Sequence, residues 1–392
     1  MKKLTLKKET INILFYMIGI FFINRFFNYE ILNKNQILQK IYINFSRLIF
    51  LFILGYWLKS KIYKKDLKLL ILMSIYFTLI LITTIVNNGS IRSIIMVSYP
   101  IIGTILLISI GINKNEDSLI IAFAYLFYGV VIINFFDTIL FKDTSSQYST
   151  SYYFLGGKNQ LAIPFSVGFC FIKIYYEKYR TLKLKFFLIS YFIIIILTGI
   201  IIKSGTCIVS LIVLLGLSYF KWLKKILTPF NFFIGYLTLF VGIIIFKIQN
   251  YFKFLIVDIL HKDITFTRRT IIWEKVLEKI KEKPLLGYGM NIDTNYFQIK
   301  AIYPDKEVLE NLSAHNQILQ HLYETGIITT IVLALIYFYC CYNNNKNKKF
   351  IYFFNAIIVI CITWLAEATG IYAIIVILTF CYYSNRIKRN KD

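Results

Sequence analysis

The chain has 392 residues, 58% of them hydrophobic and 18% aromatic, with only 16% charged and a formal net charge of +24. A soluble domain carries about a quarter charged residues, so this composition and a mean hydropathy of +0.64 exclude a globular cytosolic enzyme. The signature of disorder is absent, and 5 Pro with 18 Gly remove collagen-like and linker-rich chains.

What remains is an all-α polytopic membrane protein. About 20 apolar helical residues cross the hydrocarbon core, and twelve such runs follow in order: 11–28, 41–58, 68–87, 93–111, 118–138, 159–176, 184–202, 205–220, 231–248, 317–341, 351–367 and 370–385. The first is long enough to be a retained helix, and no small-residue cleavage site follows it, so it is read as a span and not a signal peptide. His321 and Glu324 fall in the first turns of the run 317–341. The predicted organisation is therefore transmembrane helices 1–9 over residues 1–248, a large loop over 249–316, and helices 10–12 with a cytoplasmic tail over 317–392.

Twelve crossings put both termini on one side. The segments on that side hold 24 Lys and Arg, whereas the five short segments opposite hold 6. By the positive-inside rule both termini are cytoplasmic and the loop is outside, as expected for a protein of the cytoplasmic (inner) membrane. The basic charge is then an orientation signal. The lipid bilayer is the partner it implies, and nucleic acid is not.

Residues 249–316 stand apart from the short turns, with 10 Lys/Arg and 9 Asp/Glu in 68 residues. Structureless loops of this length are uncommon and usually functional. Over 270–283, Trp273, Val276, Leu277 and Ile280 share one helical face, and Lys275–Glu278 and Lys279–Glu282 pair on the other. Pro284 stops that helix and Gly287 and Gly289 predict a turn. A second helical pattern is expected from about 306, leading through Ser313 into the next span. The six Cys show no ligand spacing, which predicts neither zinc nor disulfides.

Few residues outside the spans can carry chemistry. Two of the three His, His261 and His315, lie in the large loop. Ser313 is a good N-cap for the helix entering the membrane, which would put His315 at a helix N-terminus whose dipole favours the neutral ring. A neutral imidazole at a membrane surface can act as a general base, although a polar interfacial residue is the plainer reading. Thr267 is a candidate N-cap for the 270–283 helix, so Arg268 and Arg269 crowd a positive helix end. That placement suits an anion held without a metal, unless the two cations simply snorkel to headgroups. Arg92, Lys158 and Lys203 lie at external span ends, Arg47 lies inside the second span, and Glu324 and Glu367 fall within the membrane zone. Glu324 is expected to face away from His315 and to pair with a cation on a neighbouring helix.

These residues resemble the O-antigen ligase/polymerase superfamily of bacterial envelope glycosyltransferases. The likeness rests on Arg269, Trp273, Pro284, Leu285, Gly287 and Gly289, then Ala314-His315-Asn316, then Glu324, Gly326 and Ile327, with an earlier Gly157-Lys158-Asn159-x-Leu161-Ala162. Where the family often has Ser-Arg, this chain has Lys203-Ser204-Gly205-Thr206, so its cation stands at a shifted position. The resemblance implies a membrane glycosyltransferase with about twelve transmembrane helices and one large external helical loop, independent of metal and cofactor. Its substrates would be oligosaccharides on undecaprenyl diphosphate. His315 and Arg269 would be catalytic, while Arg268, Lys158, Lys203, Asn316 and Glu324 would bind substrate. A flippase and a chain-length regulator are the protein partners it suggests. The favoured activity is polymerisation of capsule, exopolysaccharide or O-antigen repeats, because an Ile/Lys/Asn bias fits an AT-rich source without lipopolysaccharide. Ligation of finished glycan to an acceptor is the alternative. A lipid-linked glycan flippase is a third reading, against which the nearly charge-free spans count.

Overall fold

A computed structural model of the chain describes residues 2–24, 26–27, 35–60, 63–140, 152–252, 254, 269–290, 298–303, 306–311, 313–341 and 347–384. In chain order the elements are α1 (Lys2–Ile23), α2 (Gln36–Lys59), α3 (Tyr63–Val86), α4 (Ile91–Lys114), α5 (Glu116–Leu140), β1 (Tyr152–Tyr153), β2 (Gly156–Gly157), α6 (Ala162–Tyr179), α7 (Leu182–Ile201) and α8 (Gly205–Tyr219). They continue with α9 (Lys221–Ile226), α10 (Pro229–Ile244), a 3-10 turn (Ile248–Phe252), α11 (Arg269–Glu282), β3 (Gln298–Tyr303), β4 (Lys306–Asn311), α12 (Gln317–Cys341), α13 (Lys348–Ala366) and α14 (Tyr372–Ser384).

Twelve of these helices, α1–α8, α10 and α12–α14, overlap the twelve apolar runs one for one. Seven are long and apolar enough to cross a membrane by themselves: α2, α3, α4, α5, α7, α12 and α13. Shorter apolar helices include the 9–23 part of α1, together with α8, α10 and α14. The chain is an all-α polytopic membrane protein.

Local chemistry sets the helix ends. Asn35, Ser90, Thr181, Ser204, Thr228 and Asn347 each accept a backbone N–H of the first turn that follows, which satisfies donors the helix cannot. Pro229 opens α10, where its missing N–H costs nothing. Asn24 ends α1 sooner than hydropathy suggests: its amide donates to the Phe21 carbonyl and its oxygen accepts from Phe26 N–H.

Burial is distributed as lipid demands. The spanning window of α4 is 72% buried and that of α13 67%, against 17% for α2 and 28% for α7. So α4 and α13 lie inside the bundle, with α2 and α7 on its rim. Phe52 and Phe186 are exposed on that rim, where surrounding acyl chains make large apolar side chains favourable. The centre, between α5, α6, α13 and α14, is aromatic. Phe123 stacks on Phe171 with ring centroids 4.3 Å apart, and Phe380 meets Phe171 at 5.0 Å and Phe353 at 4.9 Å. All six cysteines are buried.

The large-loop segment departs from expectation in one respect. The helix over 269–282 is present, with Trp273 and Val276 buried and the Lys275–Glu278 and Lys279–Glu282 pairs at 3.1 and 2.8 Å. The helical pattern from about 306, however, is strand β4, paired antiparallel with β3 from Tyr303↔Lys306 to Gln298↔Asn311. In sequence the two strands are separated by Pro304 and Asp305, both turn-forming residue types. Strand pairing supplies the backbone partners that a six-residue helix would largely lack. A second small hairpin, β1–β2, pairs Tyr152 with Gly157 and Tyr153 with Gly156 just before α6.

Candidate active site

Five elements converge at one end of the bundle: the turn before α6, the start of α8, the start of α11, the approach to α12 and the end of α13. What joins them is Glu367, the residue that ends α13. Its Oε1 accepts from the Arg269 guanidinium at 2.5 Å and from Asn159 Nδ2 at 2.7 Å. Its Oε2 lies 3.4 Å from His315 Nδ1. Asn159 is fixed in turn by the Ser204 hydroxyl, which donates to its Oδ1 at 2.7 Å, while Ser204 also caps α8.

The carboxylate at the centre is held charged. Burial pushes the Glu367 carboxyl up, but the His315 contact, the Arg269 charge and the Asn159 bond together outweigh it and keep the group below the ordinary carboxylate range. An ionised carboxylate only accepts, so His315 faces it with an Nδ1 hydrogen. In the neutral ring Nε2 then keeps its lone pair.

The backbone around His315 is built to present the ring. Helix α12 is capped by Asn316, whose Oδ1 accepts from Ile318 and Leu319 N–H at 3.1 Å. Ser313, the cap expected from sequence, instead accepts from His315 N–H at 3.4 Å. Asn is as good a cap as Ser, and it sits three residues nearer the first helical hydrogen bond. His315 therefore precedes the helix, with φ +44°, a left-handed conformation uncommon outside glycine. Asn316 Nδ2 also donates to the Leu365 carbonyl at 3.3 Å, and Gln317 Oε1 accepts from Gly370 N–H at 2.5 Å. These two bonds tie the start of α12 to the end of α13 and so bring His315 beside Glu367. Trp273 Nε1 donates to the Ala314 carbonyl at 3.0 Å and docks α11 on the same turn.

The Pro-Leu-x-Gly-x-Gly segment has a mechanical role. Helix α12 breaks at Gly326, φ +73°, and the segment 284–289 threads into the break. Tyr288 and Gly289 N–H donate to the Tyr323 and Glu324 carbonyls at 2.8 Å, and Ile327 N–H donates to the Pro284 carbonyl at 2.9 Å. A Cβ on Gly287 would fall 2.5 Å from the Tyr323 carbonyl oxygen, and one on Gly326 would fall 2.1 Å from that of Leu285. Met290 N–H then donates to the Thr84 hydroxyl at the end of α3. Glycine is required here for close backbone approach.

Among the residues singled out from sequence, Arg269 and His315 meet on Glu367, and Asn316 sets their geometry. Lys158 and Lys203 immediately precede Asn159 and Ser204, and neither side chain makes a hydrogen bond or ion pair within the described residues. Lys203, at φ +50°, is exposed. Glu324 is not part of the network. It is 8% exposed and accepts from Gln320 Nε2 at 2.7 Å, a residue of its own helix, so the expected cation on a neighbouring helix is replaced by a neutral amide. Arg268, His261 and Thr267 lie outside the described residues. Among the described residues no group of three or more His, Cys, Asp or Glu gathers as metal ligands. Sequence alone assigns no role to Glu367, Ser204 or Gln320. The one available signal is an acidic residue at the polar end of an otherwise charge-free span.

A family model described as O-antigen ligase matches residues 190–334, from within α7 to the middle of α12. No curated protein and no solved structure matches the chain. The matched segment holds Lys203, Arg269, His315 and the glycines of the helix break, with Asn159 and Glu367 on either side of it. Over that segment the chain is similar to the O-antigen ligase family, and the match supports a multi-pass membrane enzyme of ligase or polymerase type.

Proposed function

We propose that this enzyme polymerises a bacterial surface polysaccharide, joining undecaprenyl-diphosphate-linked oligosaccharide repeats at the outer face of the cytoplasmic membrane. The observation that carries the reading is one carboxylate shared by a histidine and an arginine. Glu367 accepts from His315 Nδ1 and leaves Nε2 to take a proton, the arrangement that orients imidazole bases generally. In the proposed step His315 Nε2 removes the proton of an acceptor sugar hydroxyl as its oxygen attacks the anomeric carbon of the donor. The bond from that carbon to the diphosphate oxygen breaks, and the electron pair leaves on the diphosphate. The new imidazolium faces Glu367, which stabilises it.

The leaving group carries the charge that must be met. Arg269 gives one guanidinium nitrogen to Glu367 and has further donors for phosphate oxygens. Lys158 and Lys203, beside the same network and without ionic partners among the described residues, supply two more positive charges. Arg268 is assigned to the same anion from sequence. An open apolar cleft of about 540 Å³ between α3 and α4, lined by residues such as Phe77, Ile94 and Ile102, suits a hydrocarbon chain. Ligation of finished glycan to a different acceptor would use the same chemistry.

The test is His315→Ala in cells deleted for the chromosomal copy. A general base contributes about 10²–10⁴-fold, so polymer should vanish, single repeats should accumulate on the lipid carrier, and the protein should remain inserted. Long polymer retained on the carrier would instead identify a ligase. Repeats trapped on the cytoplasmic leaflet would identify transport, and normal polymer would end the general-base assignment.

A further inference from the structure

Gln320 is used at both ends of its side chain. Its Oε1 accepts the backbone N–H of Ala314 at 2.9 Å, and its Nε2 donates to Glu324 Oε1 at 2.7 Å. A primary amide can be turned either way round. Only one way serves here, because a carboxylate at 324 accepts and the Ala314 N–H donates. Glu324 therefore fixes which end of Gln320 faces the turn.

That turn is the one that presents the proposed base. Ala314 is fully buried, at 0% exposure. Its carbonyl is held by Trp273 and its N–H by Gln320, so both of its backbone groups are clamped immediately before His315. The left-handed conformation of His315 is costly for a residue with a side chain and persists only where its surroundings over-determine it. Glu324 is itself anchored, since its carbonyl accepts from Gly289 N–H at 2.8 Å. The chain of bonds runs from the glycine segment through Glu324 and Gln320 to the His315 turn.

We infer that Glu324 is a positioning residue acting through Gln320 on the Ala314–His315 turn, and not a ligand of sugar or diphosphate. The inference rests on the reading of His315 as the base. It requires an acceptor at position 324 that orients the Gln320 amide, and it does not require a charge there.

A swap of donor and acceptor tests this. In Gln320→Glu with Glu324→Gln, a carboxylate at 320 accepts from Ala314 N–H and from the new amide at 324, so both bonds return and only the 320–324 bond has its polarity reversed. Membranes from the deletion strain carrying each variant are assayed with lipid-linked repeats extracted from that same strain. Glu324→Leu should lower kcat about 100-fold with little change in KM, the scale of a misplaced reacting group. Glu324→Gln should recover most of the loss. The double variant should recover as well. Inactive Glu324→Gln in well-inserted protein, or a loss that appears mainly in KM, would make Glu324 a substrate ligand and overturn the inference. His315→Ala run in the same series separates the two ideas. If it is active, the base reading fails and takes the inference with it; if it is inactive while Glu324→Gln is also inactive, only the positioning role fails.

Discussion

Two buried carboxylates, Glu367 and Glu324, sit in the same polar end of the bundle and have opposite surroundings. Glu367 terminates a helix and gathers Arg269, His315 and Asn159 from three other elements. Glu324 lies inside a helix and meets an amide one turn away. At a helix end, chain segments from elsewhere can bring cations and imidazole to the charge. Within a spanning helix the nearest partners are the helix's own side chains. The first arrangement sets an imidazole and a guanidinium on one carboxylate, and the second orients one amide. The contrast says that position within an element, more than burial, decides which partners a carboxylate gathers here.

The largest effect should come from breaking the first of the two. Glu367→Gln keeps the size of the side chain but removes the charge that Arg269 and His315 share. Activity should fall at least about 100-fold, since an orienting partner of an imidazole base is lost. Leaving Arg269 without its partner should also lower the thermal midpoint. Because the Glu367 pKa is lowered in the folded protein, the stability it contributes is fully present above its unfolded value of about 4.3. It is lost as pH falls through the lower folded value. The gap in thermal midpoint between wild type and Glu367→Gln should thus persist from pH 6 to 8 and close as pH falls below the unfolded value. A gap that closes between pH 6 and 8 would mean that Glu367 is not held charged.

A second substitution strikes the support beneath Glu324. Gly326→Ala would place a Cβ 2.1 Å from the Leu285 carbonyl oxygen at a positive φ, a strain of order 1–3 kcal/mol before the clash is counted. Membrane levels of the variant should drop severalfold, measured by fluorescence of a C-terminal fusion. Unchanged levels and activity would show that the glycine segment need not thread the break in α12.

Much of this is legible in the sequence and some is not, for physical reasons. Hydropathy locates twelve helices because lipid imposes a length and an apolar surface on each. The α11 face is readable from Trp273 and Val276 because a 14-residue amphipathic helix repeats its pattern several times. Strand β4 is not, because six residues carry too few periods to tell 2 from 3.6. The cap at Asn316 is hidden because Ser313 offers the same oxygen chemistry three residues earlier. Glu367 has no role readable from sequence, because its partners come from positions 159, 269 and 315 and only the fold assembles them. The glycine pattern is visible, but its purpose, a backbone threaded into a broken helix, belongs to tertiary structure.

The smallest expected effect lies on the outer face of α11. Lys275 and Glu278 pair at 3.1 Å with side chains 57% and 62% exposed, and such pairs contribute about 0–1 kcal/mol. Arg269, at the start of the same helix, is only 18% exposed and is held by Glu367. Lys275→Ala should leave polymer length, membrane level and thermal midpoint within error of wild type. Arg269→Lys, which keeps the charge and loses the planar fork, should abolish most activity. Both variants come from one helix and both start from a cation beside a carboxylate, so the pair isolates what burial and convergence add. A clear loss of polymer in Lys275→Ala at normal membrane level would extend the functional surface of α11 beyond its first turn, onto the face that now meets solvent.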